Sequence, residues 1–367
     1  MKAAVFYEPG RPLAIEDVTL DAPREREVLV RVEAAGVCHT DLHYMTGDLA
    51  CPTPAVPGHE GAGIVEEVGP GVTTVSPGDA VVLMWRPRCG RCRFCAEGRP
   101  ALCESAKIQK ATGGLLDGTT RLRLDSGQEV KHLLGVSCFA ERCVVAEQSV
   151  IRVPTDIPFR IAALVGCAVI TGMGAVLNVV GNAAGASVLV LGAGGVGLSS
   201  VIGAKLAGAH PLIVADVVPD KLALATRFGA THTIDVSTTD LVPAVHDICP
   251  GGVDWALEAI GRTQTIEEAL SCLRTGGSVV AIGLGKVGAT FQVPLNELVQ
   301  QEKRVIGSLY GSANTLTDIP KLLALYQAGR LPLEDLLGKA YPLTGVNDAY
   351  RALVDGAVGR AVILPKS

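Results

Sequence analysis

Four cysteines crowd into the stretch CGRCRFCAEGRPALC, at Cys89, Cys92, Cys95 and Cys103, at intervals of three, three and eight. Thiolates at such spacing can converge on one tetrahedral Zn²⁺ at about 2.3 Å each, and a closed shell of four leaves no position for a substrate. The cluster is therefore expected to hold a loop in shape. An iron–sulfur cluster is the competing metal reading, but no other redox-centre signature accompanies it. Four unligated thiols at this density would be an oxidation liability.

A second constellation is dispersed. GVCHTDLH carries Cys38, His39, Thr40, Asp41 and His43; PGHEGAG carries His59 and Glu60; LVGCAVITG carries Cys167. Two thiolates and one imidazole make a three-ligand site whose fourth position stays open for water or substrate. Spacing alone is a modest signal here, and a buried cysteine such as Cys167 is more often plain core.

A third motif is GAGGVG, from Gly192 to Gly197, which fits G-x-G-x-x-G. The string follows the apolar run SVLVLG and opens a helical segment, and Asp216 ends the next strand 19 residues past Gly197. That is the setting a dinucleotide fingerprint requires. Gly192 makes the tight turn, Gly194 admits the pyrophosphate, Gly197 permits close packing, and the phosphates meet free N–H groups at the helix start, formed by Gly195 and Val196. A carboxylate at Asp216 suits a ribose hydroxyl and repels a 2′-phosphate, so NAD is expected over NADP.

These residues need elements to position them. Up to about residue 150, short β-rich runs (VLVRVEAAG, GAGIVEEVGPG, GDAVVLM, ERCVVAE) alternate with Gly/Pro turns, which predicts a compact, barrel-like β domain. Cys103 to Cys138 reads as a long polar loop. From Ser187 the rhythm becomes strand–helix–strand, with about six strands, the pattern of a doubly wound parallel sheet. TLTDIPKLLALYQAGR is helical, and the strand-like RAVILP closes the chain and can return to the first domain. The expected division is a catalytic domain at 1–168 carrying the metal loop 89–103, a nucleotide domain at 169–309, and a return to the catalytic domain at 310–367.

The totals agree. At 367 residues and 48% hydrophobic, the chain can build two sizeable cores. A net charge of −5 without a basic block argues against nucleic acid. The start, MKAAVFYEPGRPLAIEDV, lacks the long apolar core of a signal peptide, and the apolar stretch 161–180 is interrupted by glycines and reads as a buried helix. The expectation is a cytoplasmic protein without a membrane span. Eleven cysteines in such a setting favour metal or catalysis over disulfides.

Taken together, GVCHTDLH, PGHEGAGIVEEVGPGV, Gly78-Asp79, the loop from Cys89 to Cys103, VGCAVITG, GAGGVG with Asp216 and the closing GRAVILP resemble the zinc-dependent medium-chain alcohol dehydrogenases over essentially the whole chain. The resemblance implies a GroES-like catalytic β-barrel with an inserted Rossmann domain, two Zn²⁺ per subunit and NAD. It implies that Cys38, His59 and Cys167 hold the catalytic zinc and that the four clustered cysteines hold the structural one. Glu60 corresponds to the acid beside the zinc, and Asp41 to the acid that orients His59. Thr40 matches the hydroxyl that contacts the alcohol, and His43 the outer end of the proton relay. Asp216 and Lys221 match the adenosine-ribose contacts, and His39 and Arg360 the pyrophosphate contacts.

The substrate is less constrained. In the related glutathione-dependent formaldehyde dehydrogenases an acid and an arginine hold an anionic adduct, and the corresponding positions here are Leu49 and Lys107. Leu49 carries no charge and Lys107 lacks the guanidinium fork. Leu49, Trp85 and Leu115 lie on segments that can line an apolar channel, so a primary alcohol with an apolar or aromatic group is the expectation. A zinc-free quinone or enone reductase on the same scaffold and a non-enzymatic NAD-binding protein are the other readings. The long 103–138 segment resembles that of the dimeric members, so a homodimer joined through edge strands of the cofactor domains is expected.

Overall fold

The computed structural model describes residues 1–366. The chain divides into two units, Met1–Cys167 together with the chain from Asn314 onward, and Ala168–Ala313. The second break falls slightly later than the sequence reading places it. The turn Tyr310–Ser312 after the last parallel strand stays with the second unit, where Asn178 Nδ2 donates to Gly311 O at 3.1 Å.

The first unit is built on the long strand Glu27–Gly36. Its alternation buries Val28, Val30 and Val32 and leaves Leu29, Arg31 and Glu33 half-buried, the period-two signature of a strand with one face on a core. The sheet order is Val150–Arg152, Ala80–Leu83, Gly61–Val68, Glu27–Gly36, Arg360–Leu364, Leu337–Pro342, and Arg142–Ala146 also pairs with Glu27–Gly36. The closing strand runs antiparallel to Glu27–Gly36, with Val362 opposite Gly36 and Ile363 opposite Ala35. Val28, Val65, Val81, Leu83, Phe139 and Ile363 share its core. This is the GroES-like, nearly closed barrel.

The 103–138 segment is not the loop that its polar composition suggests. It holds a helix at Ala106–Thr112 and strands at Leu122–Leu124 and Glu129–His132, which enter a second sheet with Lys2–Val5, Ala14–Leu20 and Ala55–Val56. Ion pairing explains the discrepancy. Arg121 is fully buried, with Nη2 at 2.5 Å from Glu27 and 2.6 Å from Asp117. Arg121 and Glu27 are thus interior charges that satisfy each other, with Asp117 pairing from the surface.

The second unit is a six-stranded parallel sheet of Val188–Leu191, Leu212–Asp216, His232–Asp235, Val253–Glu258, Leu273–Ala281 and Arg304–Gly307. Counted along the chain, the order is 3-2-1-4-5-6, the doubly wound Rossmann arrangement. Val188–Leu191 is buried at all four positions, as expected of a strand covered on both faces. The apolar helical stretch Phe159–Val180 is long enough to cross a membrane, but 78% of its most apolar window is buried in protein.

Candidate functional site

Cys38 is the N-cap of the helix His39–Thr46, where its Sγ accepts the Thr40 N–H at 3.5 Å. His59 and Glu60 immediately precede the strand Gly61–Val68. Cys167 lies on a π-helical turn, Val165–Val169, a form that recurs at functional sites because the extra residue re-aims side chains. These elements bring one ligand atom from each of Cys38, His59, Glu60 and Cys167 within 4.8 Å of one another, all four residues buried. Cys38 and Cys167, 129 positions apart, thus join one donor set.

Asp41 sets how His59 is used. It is 0% exposed, and its Oδ1 lies 3.1 Å from His59 Nδ1 and accepts the Gly58 N–H at 3.2 Å. A carboxylate only accepts, so Nδ1 carries a proton, and Nε2 is the nitrogen that faces the donor set, 3.5 Å from Cys167 Sγ. Burial pushes His59 down, but Asp41 and Cys38 outweigh it and raise its pKa well above the usual value. The Cys167 thiol, followed by Arg360 and His59, pulls Cys38 well below the ordinary thiol range against its burial. Two thiols, one of them already acidified, and one oriented imidazole fit a zinc ion.

Glu60 lies within this set and is also tied to Arg360. Burial raises its carboxyl to about 7 against the attraction of Arg360. Arg360 is itself 4% exposed and grips both Glu60 oxygens, Nη2 on Oε1 in close contact and Nε on Oε2 at 3.3 Å. Burial disfavours the guanidinium, but Glu60 outweighs it and the net shift is upward. The two-pronged contact favours the ionised pair, while burial leaves Glu60 able to take up a proton near neutral pH. Trp85 stands edge-on to His59, with ring centroids 6.2 Å apart at 79°, so an aromatic wall borders the donors.

Thr40 and His43 follow on the same helix three residues apart, hence on one face. His43 is half-buried and its Nδ1 lies 3.2 Å from Asp48 Oδ2. His39 is exposed on the first turn.

The thiol-rich lobe is separate. Cys89, Cys92, Cys95 and Cys103 place their sulfurs within 4.8 Å of one another, and all are free thiols. The Cys89–Cys95 and Cys92–Cys103 sulfurs are 3.9 Å apart. That is far too long for a disulfide, yet close to the edge of about 3.8 Å that a tetrahedron of 2.3 Å Zn–S bonds requires. Backbone N–H groups of Cys89 and Cys92 point at sulfurs at 3.4 and 3.3 Å. Burial works against the Cys89 thiolate, but such hydrogen bonds bring it down to about 6.

In the second unit the glycine motif is positioned as its spacing implies. Gly192 has φ +91°, and a Cβ at Gly197 would lie 1.7 Å from Gly192 O, so no side chain fits between turn and helix. Gly194 is exposed, with open space where a Cβ would be, and caps the helix Gly195–Leu206, whose first residues Gly195 and Val196 are half-buried. Asp216 ends the second strand and accepts the Ala193 N–H at 2.6 Å and the Val218 N–H at 3.0 Å. Lys221 is half-buried on the next helix, Pro219–Phe228.

Several features were not visible in the sequence. Asp48 on His43 is one, and the Glu60–Arg360 pair, separated by 300 residues, is another. Val217 and Ile260, 60% and 40% exposed, flank the Gly192 turn at the carboxyl ends of their strands; apolar residues just past strand ends were the available signal. Of the three proposed channel residues, Trp85 borders the donor set and Leu49 is half-buried, but Leu115 is 0% exposed and belongs to the interior. Lys107 is 78% exposed and lies 4.0 Å from Glu104.

Two family models match the chain, "Alcohol dehydrogenase GroES-like domain" over residues 24–155 and "Zinc-binding dehydrogenase" over residues 195–328. An NDMA-dependent alcohol dehydrogenase of Amycolatopsis methanolica is 41% identical, with 99% of this chain and 98% of that protein covered. The solved structure of an alcohol dehydrogenase zinc-binding domain protein from Burkholderia ambifaria superposes with a TM-score of 0.93 at 38% identity, covering 99% of this chain and 98% of that one. The structure of benzyl alcohol dehydrogenase from Acinetobacter calcoaceticus gives 0.92 at 34% identity over the same shares. With its donor sets, its barrel and its parallel sheet all accounted for, the chain belongs to the zinc-dependent medium-chain alcohol dehydrogenase family.

Proposed function

We propose that the protein interconverts a primary alcohol, apolar or aromatic, with its aldehyde, using NAD. The observation that carries this is the convergence of Cys38, His59 and Cys167 into a buried three-donor set beside Glu60. A zinc ion held by those three residues supplies a Lewis acid that acidifies an alcohol and polarises a carbonyl. Everything else is the work of side chains. Asp41 fixes the His59 tautomer. Thr40 receives the alcohol proton, and His43, on the same helix face and partly exposed, passes it to solvent. Glu60 and Arg360 keep a charge pair against the donors. Asp216 selects NAD by its charge, with Val217 and Ile260 as apolar faces for a flat base, Lys221 beside the ribose, and the N–H groups after Gly194 for the diphosphate.

Trp85 beside His59 supports an aromatic alcohol, as does the likeness to a benzyl alcohol dehydrogenase. A charged glutathione adduct is less well served, because Leu49 is neutral and Lys107 is largely exposed. A zinc-free reductase would have no use for three converging donors. The A. methanolica relative is named for its dependence on NDMA, which favours a second reading: the nicotinamide stays bound and is turned over by an added acceptor.

One experiment separates these readings. The purified protein is given aliphatic and aromatic alcohols with NAD, and NADH absorbance is followed with and without a chelator. Aromatic alcohols are expected to give chelator-sensitive NADH. If alcohol is turned over only when NDMA is present, with the acceptor reduced and no NADH accumulating, the bound-cofactor reading holds; if no alcohol reacts under either condition, the proposal fails. We also propose a cytoplasmic homodimer formed through the edge strand Arg304–Gly307. That strand is largely exposed, and Val287, Leu295 and Val299 nearby in sequence are 74%, 72% and 65% exposed.

A further inference from the structure

The helix that carries Thr40 and His43 ends in an unusual turn. Gly47 takes φ +84° as its C-cap, and its N–H returns to Tyr44 O at 3.2 Å. The chain then doubles back, so that the Leu49 N–H reaches His43 O at 3.0 Å and Asp48 lies over the last helical turn. There its Oδ2 accepts the Thr46 hydroxyl at 3.0 Å and meets His43 Nδ1 at 3.2 Å. An ionised carboxylate has no proton to give, so the proton in this contact is on Nδ1.

We propose that Asp48 is a positioning residue for His43. Its carboxylate holds the Nδ1 proton and fixes the ring plane, so that Nε2 is the nitrogen that takes up and releases protons. The proposal rests on the reading of His43 as the outer end of the proton path. In each turnover one proton arrives at Nε2 and one leaves to water, the Nδ1 proton stays in place, and nothing is oxidised or reduced.

Asp41 does the same for His59 at 3.1 Å. The helix thus carries two histidine–carboxylate arrangements, one buried and aimed at the donor set, the other half-exposed and aimed at solvent. Several charged groups lie near His43 in the chain. His39 lies one turn back on the same helix. The strap that packs on the helix end, where Gly10 N–H meets Met45 O at 2.8 Å, carries Glu8 and Arg11, which pair with each other at 2.5 Å. Cys51 follows the turn and is lifted to about 11 by burial, hence uncharged. Asp48 is the carboxylate in contact with the ring.

The test uses metal-loaded, cofactor-saturated enzyme and four variants: Asp48→Asn, Asp48→Glu, Thr46→Val and His43→Gln. Nitrogen-15 spectra of histidine-labelled protein report the His43 tautomer, with the signal assigned by its loss in His43→Gln. Wild type is expected to show Nδ1 protonated. Asp48→Asn should move the ring toward the Nε2-protonated form. It should also lower kcat about tenfold with KM little changed, a fraction of the roughly 10²- to 10⁴-fold that a placed acid–base group contributes. Asp48→Glu should recover most of both, and it carries the test if Asp48→Asn does not fold. Thr46→Val, which removes only the hydroxyl, should leave tautomer and kcat unchanged. The proposal is overturned if Asp48→Asn leaves the tautomer as in wild type, or if Thr46→Val lowers kcat as much as Asp48→Asn does. If His43→Gln lowers kcat in those cases, the proton path itself survives; if His43→Gln has no effect on kcat, that path falls and the proposal with it.

Discussion

The two thiol clusters share a chemistry and differ in almost everything that surrounds it. Cys89, Cys92, Cys95 and Cys103 come from 15 consecutive residues, are mostly half-exposed, and are stabilised by backbone N–H groups of their own loop. Cys38, His59 and Cys167 come from three distant segments, are buried, and are oriented by other side chains, Asp41 foremost. A local cluster closes a shell and stiffens a segment that has little core of its own. A dispersed one depends on a finished domain, and it can leave one position open because the domain, not the shell, holds the donors in place.

The contrast can be broken at several points. The largest effect is expected from Cys167→Ala, which should lower alcohol-dependent turnover by about 10³-fold, equivalent to several kcal/mol of lost transition-state stabilisation. Elemental analysis should show one zinc fewer per chain, with the circular dichroism spectrum kept. If both metals remain, the dispersed set is not a metal centre. Asp41→Asn comes next: turnover or metal affinity should fall by about 10- to 100-fold, read by competition with a chromogenic chelator.

Cys95→Ser should act on stability instead. Tm should fall by about 5 °C, roughly 2 kcal/mol, while turnover per folded molecule at 25 °C is retained. Loss of turnover without loss of Tm would reverse the roles assigned to the two clusters.

The smallest effect concerns a buried histidine outside both clusters. Burial, and then Arg121, lower His132 to about 3, while its Nε2 accepts the Arg121 N–H at 3.1 Å. Its folded pKa is thus below the unfolded value of about 6.5. The unfolded chain gains the proton first as pH falls, so this contribution is whole above pH 6.5 and is lost progressively down to about pH 3. His132→Gln should flatten the acid limb by at most about 1.4 kcal/mol per pH unit, read from urea midpoints between pH 7 and 4. An unchanged limb would mean that His132 titrates normally.

The same division governs what could be read without coordinates. The four-cysteine loop and GAGGVG were legible because their chemistry is written within a few consecutive residues. The strand runs from Val188 onward were legible because a doubly covered strand is apolar at every position. The dispersed donors became legible only through the combined motifs that resemble a family, since nothing in the spacing of Cys38 and Cys167 requires them to meet. Nothing in the sequence pairs Arg121 with Glu27, and only the folded chain shows them buried against each other. Glu60 with Arg360 and His43 with Asp48 escaped for the same reason: pairing of polar groups across a fold has no period.

The closing strand Arg360–Leu364 hydrogen-bonds to Glu27–Gly36 and brings the guanidinium that grips Glu60. On a ribosome, the parallel-sheet unit, being continuous in sequence, can fold while synthesis continues. The barrel must wait, its first half translated and incomplete, until the strand Arg360–Leu364 has cleared the exit tunnel. A chain cut before Arg360 would emerge without the guanidinium that pairs with its buried acid.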